Sequence, residues 1–149
     1  MSNGIELLPE TLVSEGLKKI PKEEVIKPKI IGFYFSAHWC PPCRAFTPEL
    51  AAFYKKLNSN GIKMEIIFIT CDHDEDSFKD YFSSMPWKAI YFEDETIEEI
   101  QSLYNISGIP TLLIMDNKGK IIDNKGKETV LKFKGKEEEA FKIWESKSN

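Results

Sequence analysis

The sequence predicts an α/β fold of three layers, a mixed central sheet flanked by helices. Three observations predict it. Apolar runs of strand length alternate with segments whose apolar residues recur at helical spacing. The run Ile30-Ile31-Gly32-Phe33-Tyr34-Phe35 leads straight into one such helical segment. A turn, Asp116-Asn117-Lys118-Gly119, separates two later apolar segments, as in a hairpin. The 149 residues suit one domain with a sizeable core, and no repeat, linker or composition shift marks a second. The domain is therefore read as residues 1–149, with 1–28 as an N-terminal strand and loop extension.

Each element has its own reason. Ile5 to Leu8 is a short apolar segment, expected as a strand. Lys18 to Lys29 is expected as loop, because Pro21 and Pro28 break any helix. Lys29 to Ser36 is a continuous apolar run, expected as a strand buried on both faces. Pro41 to Asn58 is a helix with Phe46, Leu50, Phe53, Tyr54 and Leu57 at helical spacing. Pro48 inside it removes one backbone hydrogen bond and is expected to kink it. Asn60-Gly61 ends it, and Lys63 to Thr70 is the next strand.

Asp74 to Ser84 is a helix that Asp72 or Asp74 caps, and Met85-Pro86-Trp87 stops it. Thr96 to Tyr104 is a helix with Ile97, Ile100 and Leu103 on one face. Thr111 to Met115 is a strand, and Lys120 to Asp123 pairs back on it after the turn. A further short strand is expected at Thr129 to Phe133. Glu137 to Ser146 closes the chain as a helix with Ala140, Phe141 and Trp144 inward.

The motif that carries chemistry is Cys40-Pro41-Pro42-Cys43, with Trp39 before it and Arg44 after it. It lies where the first long strand hands over to a helix. The dipole and the unpaired N–H groups of a first helical turn favour a thiolate over a thiol. A second cysteine one turn on can close a disulfide and eject whatever the first has attacked. Cys40 is thus the candidate nucleophile, the more exposed of the two, and Cys43 the resolving thiol. Pro41 and Pro42 suit a first turn, where an N–H would be unpaired anyway, and they remove donors near the Cys40 sulfur. Arg44 either raises the local positive potential or is a solvated helix charge. His38 is expected as an exposed bystander. Cys71, at the end of a buried strand, is expected as a structural thiol.

A metal half-site is the other reading of the pair. Cys40 and Cys43 would then join Cys71 and His73 around zinc. Two prolines between the cysteines suit a stiff redox turn better, and Cys-x-His is an unusual second half. The acidic run Asp72 to Asp76 reads as a cap and a solvated face, since it lacks the glycine and final Glu of a calcium loop.

Composition narrows the function classes. The formal net charge of −4 argues against nucleic acid as the main partner. The first residues lack the basic start and apolar run of a signal peptide. No stretch nears the roughly 18 consecutive apolar residues of a membrane span. Three cysteines do not make a disulfide framework, so the chain reads as cytoplasmic, where a Cys-x-x-Cys is redox-active or metal-binding.

Trp-Cys-x-x-Cys after the first long strand, within this order of elements, resembles the thioredoxin superfamily. The stretch from Tyr34 to Arg44 is similar to the active site of the nucleoredoxin and tryparedoxin branch, and so is Met85-Pro86-Trp87. Gly108-Ile109-Pro110-Thr111 is similar to the loop that carries the cis-proline of that fold. The similarity runs from about Ile30 to Met115; the two ends match in outline.

The resemblance implies a thioredoxin-like fold and a protein-disulfide reductase with no bound cofactor, the cysteine pair being the redox centre. It implies peroxiredoxin-like or other protein disulfides as substrates. The upstream thiol reductant would be a reductase, glutathione or a glutathione-derived dithiol. A redox-dependent partner-binding regulator of nucleoredoxin type is the alternative. Trp39 would cover the active-site surface and offer a contact to partners, with core packing as the plain alternative. Ile109 and Pro110 would dock an extended substrate. Pro86 and Trp87 would form a partner-selecting loop near the active-site end of the sheet, or else a helix stop with a core Trp. Many thioredoxins carry a buried acid where Tyr34 stands, so a Tyr hydroxyl, a water or another acid must serve the resolving proton here.

Overall fold

The computed structural model describes residues 3–148. Met1, Ser2 and Asn149 of the 1–149 domain lie outside the described residues. The strands are β1 (Thr11–Ser14), β2 (Lys18–Pro21), β3 (Ile30–Ser36), β4 (Met64–Thr70), β5 (Lys88–Ala89), β6 (Thr111–Asp116) and β7 (Ile121–Asp123). The helices are α1 (Gly4–Leu7), α2 (Lys22–Val25), α3 (Pro41–Leu57), α4 (Glu75–Phe82), α5 (Thr96–Leu103), α6 (Gly126–Lys132) and α7 (Glu137–Ser146). The strands form one mixed sheet in the order β2-β1-β5-β4-β3-β6-β7.

β3 organises the sheet. It pairs in parallel with β4, from Ile30↔Met64 to Ser36↔Thr70, and antiparallel with β6, from Ile30↔Asp116 to Phe35↔Thr111. All seven of its residues are buried. Alternate side chains go to opposite faces. Ile30 and Tyr34 join the core under α3, α4 and α7, with Leu50, Phe53, Phe78 and Trp144. Ile31, Phe33 and Phe35 join the other core, with Ile5, Val25, Ile97 and Ile100. Two helix layers on one sheet are thus written into the parity of one strand.

Four expectations are corrected at the margins. Ile5 to Leu8 is not a strand: Asn3 and Glu6 form a reciprocal capping box that starts α1. The Gly4 N–H donates to the Tyr104 hydroxyl at 2.9 Å, which seats α1 against α5. Lys18 to Lys29 is not plain loop. β1 and β2 make an edge hairpin through a tight turn at Gly16 and Leu17, both at positive φ, and α2 follows. Pro21 is tolerated because β2 is the last strand of the sheet. Thr129 to Phe133 is not a strand either. The β-branched pair Thr129-Val130 falls within α6, where Thr129 donates to Asp123 Oδ2 at 2.6 Å and Val130 is buried. Leu103, expected on the inward face of its helix, is 40% exposed, while Ile97 and Ile100 are buried. The strand at 64–70, the helix at 137–146 and the hairpin across 116–119 stand as expected, and α3 runs as one helix through Pro48.

Gly126 at the start of α6 is buried, and a Cβ there would lie 2.7 Å from the Leu112 carbonyl oxygen and 2.8 Å from Leu112 Cγ. The contact is to the backbone of β6 and cannot yield by a side-chain rotation. Gly126→Ala is therefore expected to lower stability by about 1–3 kcal/mol, as overpacking does, read from urea unfolding of the reduced protein. A wild-type midpoint would contradict this packing.

Candidate active site

The end of β3 launches the site. After Ser36 the chain turns through Ala37 and His38, and Cys40 caps α3. Its sulfur accepts the Cys43 N–H at 3.3 Å. Pro41 and Pro42 fill the first positions of the helix, and both are exposed. Cys40 is 5% exposed and Cys43 0%, so Cys40 is the outer thiol. Both are free. The Ile109-Pro110 bond is cis, and the Ile109 carbonyl lies 3.9 Å from Cys40 Sγ. Ile109 and Pro110, both half-buried, line a cleft of about 600 Å³ together with Pro42, Lys125 and Lys127.

Trp39 lies on the surface, 53% exposed. Its ring stacks on His73 at 5.4 Å and its Nε1–H donates to the Cys71 carbonyl at 3.3 Å. Arg44 is exposed, and its backbone N–H donates to the Cys40 carbonyl at 3.0 Å. His38 is not an exposed bystander: half-buried, it stacks on Tyr81 at 5.5 Å.

Pro86 and Trp87 are displaced from the site. β5 is parallel to β4 and pairs Lys88 with Ile67, so Met85 to Trp87 sits toward the ends where these strands begin. Cys40 follows the opposite end. Trp87 is 0% exposed, packed edge-on against Tyr34 and Tyr54. The core-Trp alternative holds, and Trp87 has no surface to offer a substrate.

Ser36, Thr47 and Tyr81 carry no sequence signal that assigns them to the site, and Asp72 reads from sequence as a cap or part of a solvated face. Tyr34 Oη lies 2.7 Å from Thr47 Oγ1, which lies 2.5 Å from Tyr81 Oη. Ser36 Oγ lies 2.7 Å from Tyr81 Oη. Spacing alone relates them to it: Ser36 ends the strand two residues after Tyr34, and Thr47 is one turn after Cys43. Asp72 belongs to no solvated face. It is buried, accepts the His38 N–H at 2.7 Å and the Thr70 hydroxyl at 2.8 Å, and so ties the Cys40 approach loop to β4. Asp74 is the cap of α4; the Ser77 N–H on its carboxylate holds it below the usual range.

Burial first, then the Cys40 side chain, pushes the Cys43 thiol up to about 11. Burial likewise pushes Cys71 up to about 11, with Cys43 and Asp72 adding to it. Cys71 is half-buried rather than buried, and Gln101 Nε2 donates to its sulfur at 3.4 Å. It packs against the site cysteines but lines a different cleft, with Asp72, His73 and Glu98. Among the described residues no group of three or more His, Cys, Asp and Glu side chains is placed to hold a metal ion.

A Thioredoxin-like family model matches residues 28–121. This chain belongs to the thioredoxin-like family, in its nucleoredoxin and tryparedoxin branch. Nucleoredoxin from Bos taurus is 50% identical over 102 residues, covering 68% of this chain and 23% of that protein. The Homo sapiens nucleoredoxin is 48% identical over the same length. The chain thus spans about a quarter of the length of the curated relatives it matches. Among solved structures, tryparedoxin II from C. fasciculata superposes with a TM-score of 0.79 at 35% identity, covering 87% of this chain and 91% of that one. A thioredoxin from Wuchereria bancrofti gives 0.78 at 31%, covering 83% and 87%. The thioredoxin-like fold is therefore this chain's fold, and no helix among the described residues is long and apolar enough to cross a membrane.

The raised thiols make a pH statement. A thiol that holds its proton more tightly when folded supports stability below its unfolded value, and that support is lost as pH rises through its folded value. Reduced protein is expected to lose thermal stability between about pH 9 and about 11. Protein oxidised at Cys40–Cys43 lacks the Cys43 share of that loss. Melts of both forms at pH 8 to 11 check this; parallel curves would contradict it.

Proposed function

We propose that the chain is a thiol–disulfide oxidoreductase that reduces protein disulfides with the Cys40 and Cys43 dithiol. One observation carries this reading: the outer sulfur, Cys40, holds a helix N–H at 3.3 Å and faces the Ile109 carbonyl at 3.9 Å, with Cys43 one turn behind it. An extended substrate strand that pairs with the Ile109 backbone brings its own sulfur over Cys40. Cys40 attacks the substrate disulfide, giving a mixed disulfide and one released thiol. Cys43 then attacks Cys40 Sγ, closing the internal disulfide and releasing the second substrate thiol. Two electrons pass from the dithiol to the substrate.

Trp39 and Pro110 flank the docking position, with Pro41, Pro42 and Arg44 on the exposed face of the helix start. Peroxiredoxin-like disulfides are the proposed acceptors. A reductase, glutathione or a glutathione-derived dithiol is the proposed donor, and a tryparedoxin II structure holding glutathionylspermidine supports the last of these. The cytoplasm is the proposed compartment. The nucleoredoxin relatives and the exposed Trp39 platform favour one further reading, a redox-dependent partner-binding regulator.

Insulin reduction with dithiothreitol as electron source tests the proposal. Wild type is expected to accelerate it, Cys40→Ser to fall to the dithiothreitol background, and Cys43→Ser to accumulate mixed disulfides. Wild type no faster than dithiothreitol alone would overturn the reductase reading. Partner capture that survives both serine variants would favour the binding module.

A further inference from the structure

Residues 71 to 73, which leave β4, run beside the loop that carries β3 into Cys40, and they hold that loop along its length. The Cys71 N–H donates to the Ser36 carbonyl at 2.8 Å. The Asp72 carboxylate accepts the His38 N–H at 2.7 Å. The Cys71 carbonyl accepts the Trp39 Nε1–H at 3.3 Å. The His73 ring lies on the Trp39 ring, with centroids 5.4 Å apart and planes 5° from parallel. The first of these contacts fix main chain; the last two fix only the Trp39 side chain. A single Nε1 bond pins the indole at one atom and leaves it free to swing. A second ring laid flat against it removes that freedom. His73 is itself held from both sides. Asp72 before it is buried with both carboxylate oxygens bonded, and Asp74 after it caps α4.

Trp39 is the tryptophan open to a partner. Trp87 and Trp144 are buried, whereas Trp39, with one face on His73, is still 53% exposed. Its place relative to Cys40 follows from the sheet. Ser36 at the end of β3 pairs with Thr70 of β4, and Phe35 pairs with Thr111 of β6 on the other edge. His73 follows β4 and Ile109 precedes β6, so the two flank Cys40 from opposite sides at the same end of the sheet. Ile109 presents its carbonyl 3.9 Å from Cys40 Sγ, and His73 props the Trp39 ring on the far side.

We propose that His73 is a positioning residue that sets substrate specificity: it holds the Trp39 ring as the second wall of the docking cleft, opposite Ile109, and so favours disulfides carried on a polypeptide. The inference rests on the dithiol-reductase reading. Neither ring takes part in the electron transfer, which stays with Cys40 and Cys43. A small disulfide needs only those sulfurs. A disulfide on a polypeptide brings flanking residues, and these bury apolar surface against Trp39. A ring already ordered by the fold does not have to be ordered at each encounter. The support is one of shape, a flat ring beneath a flat ring, so another aromatic side chain at position 73 supplies it as well.

Two readouts test this. Iodide quenching of tryptophan fluorescence reports Trp39, because Trp87 and Trp144 are buried. His73→Ala is expected to steepen the quenching, by opening the covered face, and His73→Phe to leave it near wild type. The second readout is the ratio of two second-order rate constants, for oxidation of the reduced chain by insulin and by hydroxyethyl disulfide, followed by acid quench and thiol counting. His73→Ala is expected to lower that ratio about threefold to tenfold, the effect of having to order one freed side chain on binding, and His73→Phe to restore it to within about twofold. Trp39→Ala should lower the ratio too, and adding His73→Ala to it should lower it no further, since the rings act as one unit. A wild-type ratio in His73→Ala overturns the proposal, and so does unchanged quenching in that variant. Losses that multiply in the double variant, or a loss that His73→Phe fails to restore, overturn it as well. Wild type oxidised by neither disulfide contradicts the reductase reading instead.

Discussion

The candidate site depends on a single strand being buried on both of its faces and stopping on a polar residue. β3 has neighbours on both edges and a helix layer on each side, so its position is fixed in every direction. Whatever follows its last residue is held as firmly as the core is. Ser36 is that last residue, and Cys40 follows within one short loop. A thiol on a mobile loop would have to be ordered anew for each substrate. Here the ordering is a by-product of apolar burial, and Asp72 secures the loop to the neighbouring strand by charge-assisted bonds.

The same strand sets the chemistry behind the outer thiol. Tyr34 and Ser36 are two residues apart, so they share the face that α3 and α4 cover. α3 supplies Thr47 one turn beyond Cys43, and α4 supplies Tyr81. The hydroxyls therefore meet because three elements pack on one face. The two thiols are divided by the same geometry. Cys40 caps the helix at its rim, and Cys43 points into the core, where burial makes its proton hard to remove. Attack and resolution are assigned to different environments.

Much of this was legible in the chain, and what was not has physical reasons. The long elements announced themselves, because a strand like Ile30–Ser36 and a helix like Glu137–Ser146 have clear periodicity. Short elements did not. α1 is a four-residue helix held by Asn3, Glu6 and Tyr104, and Tyr104 lies a hundred residues away. α6 contains Thr129 and Val130, whose local preference for strand is overridden by a hydrogen bond to Asp123 and burial of Val130. The cysteine pair and the Ile109-Pro110 loop could be read from short motifs. Ser36, Thr47 and Tyr81 could not, since a hydroxyl on an apolar face looks like tolerated polarity until its partners from other elements are known. Trp87 misled because a tripeptide carries no address in space; the parallel pairing of β5 gives it one.

Relative reactivity of the three thiols bears most directly on the account. Reduced protein would be treated with limiting iodoacetamide at pH 7 and each cysteine followed by peptide mass spectrometry. Cys43 and Cys71 both hold their protons up to about pH 11, and Cys40 alone has a helix N–H on its sulfur. The account predicts that Cys40 is alkylated first, with Cys43 and Cys71 far behind, although Cys71 is the most accessible of the three. Cys71 or Cys43 reacting first would contradict the division of labour on which the whole mechanism rests.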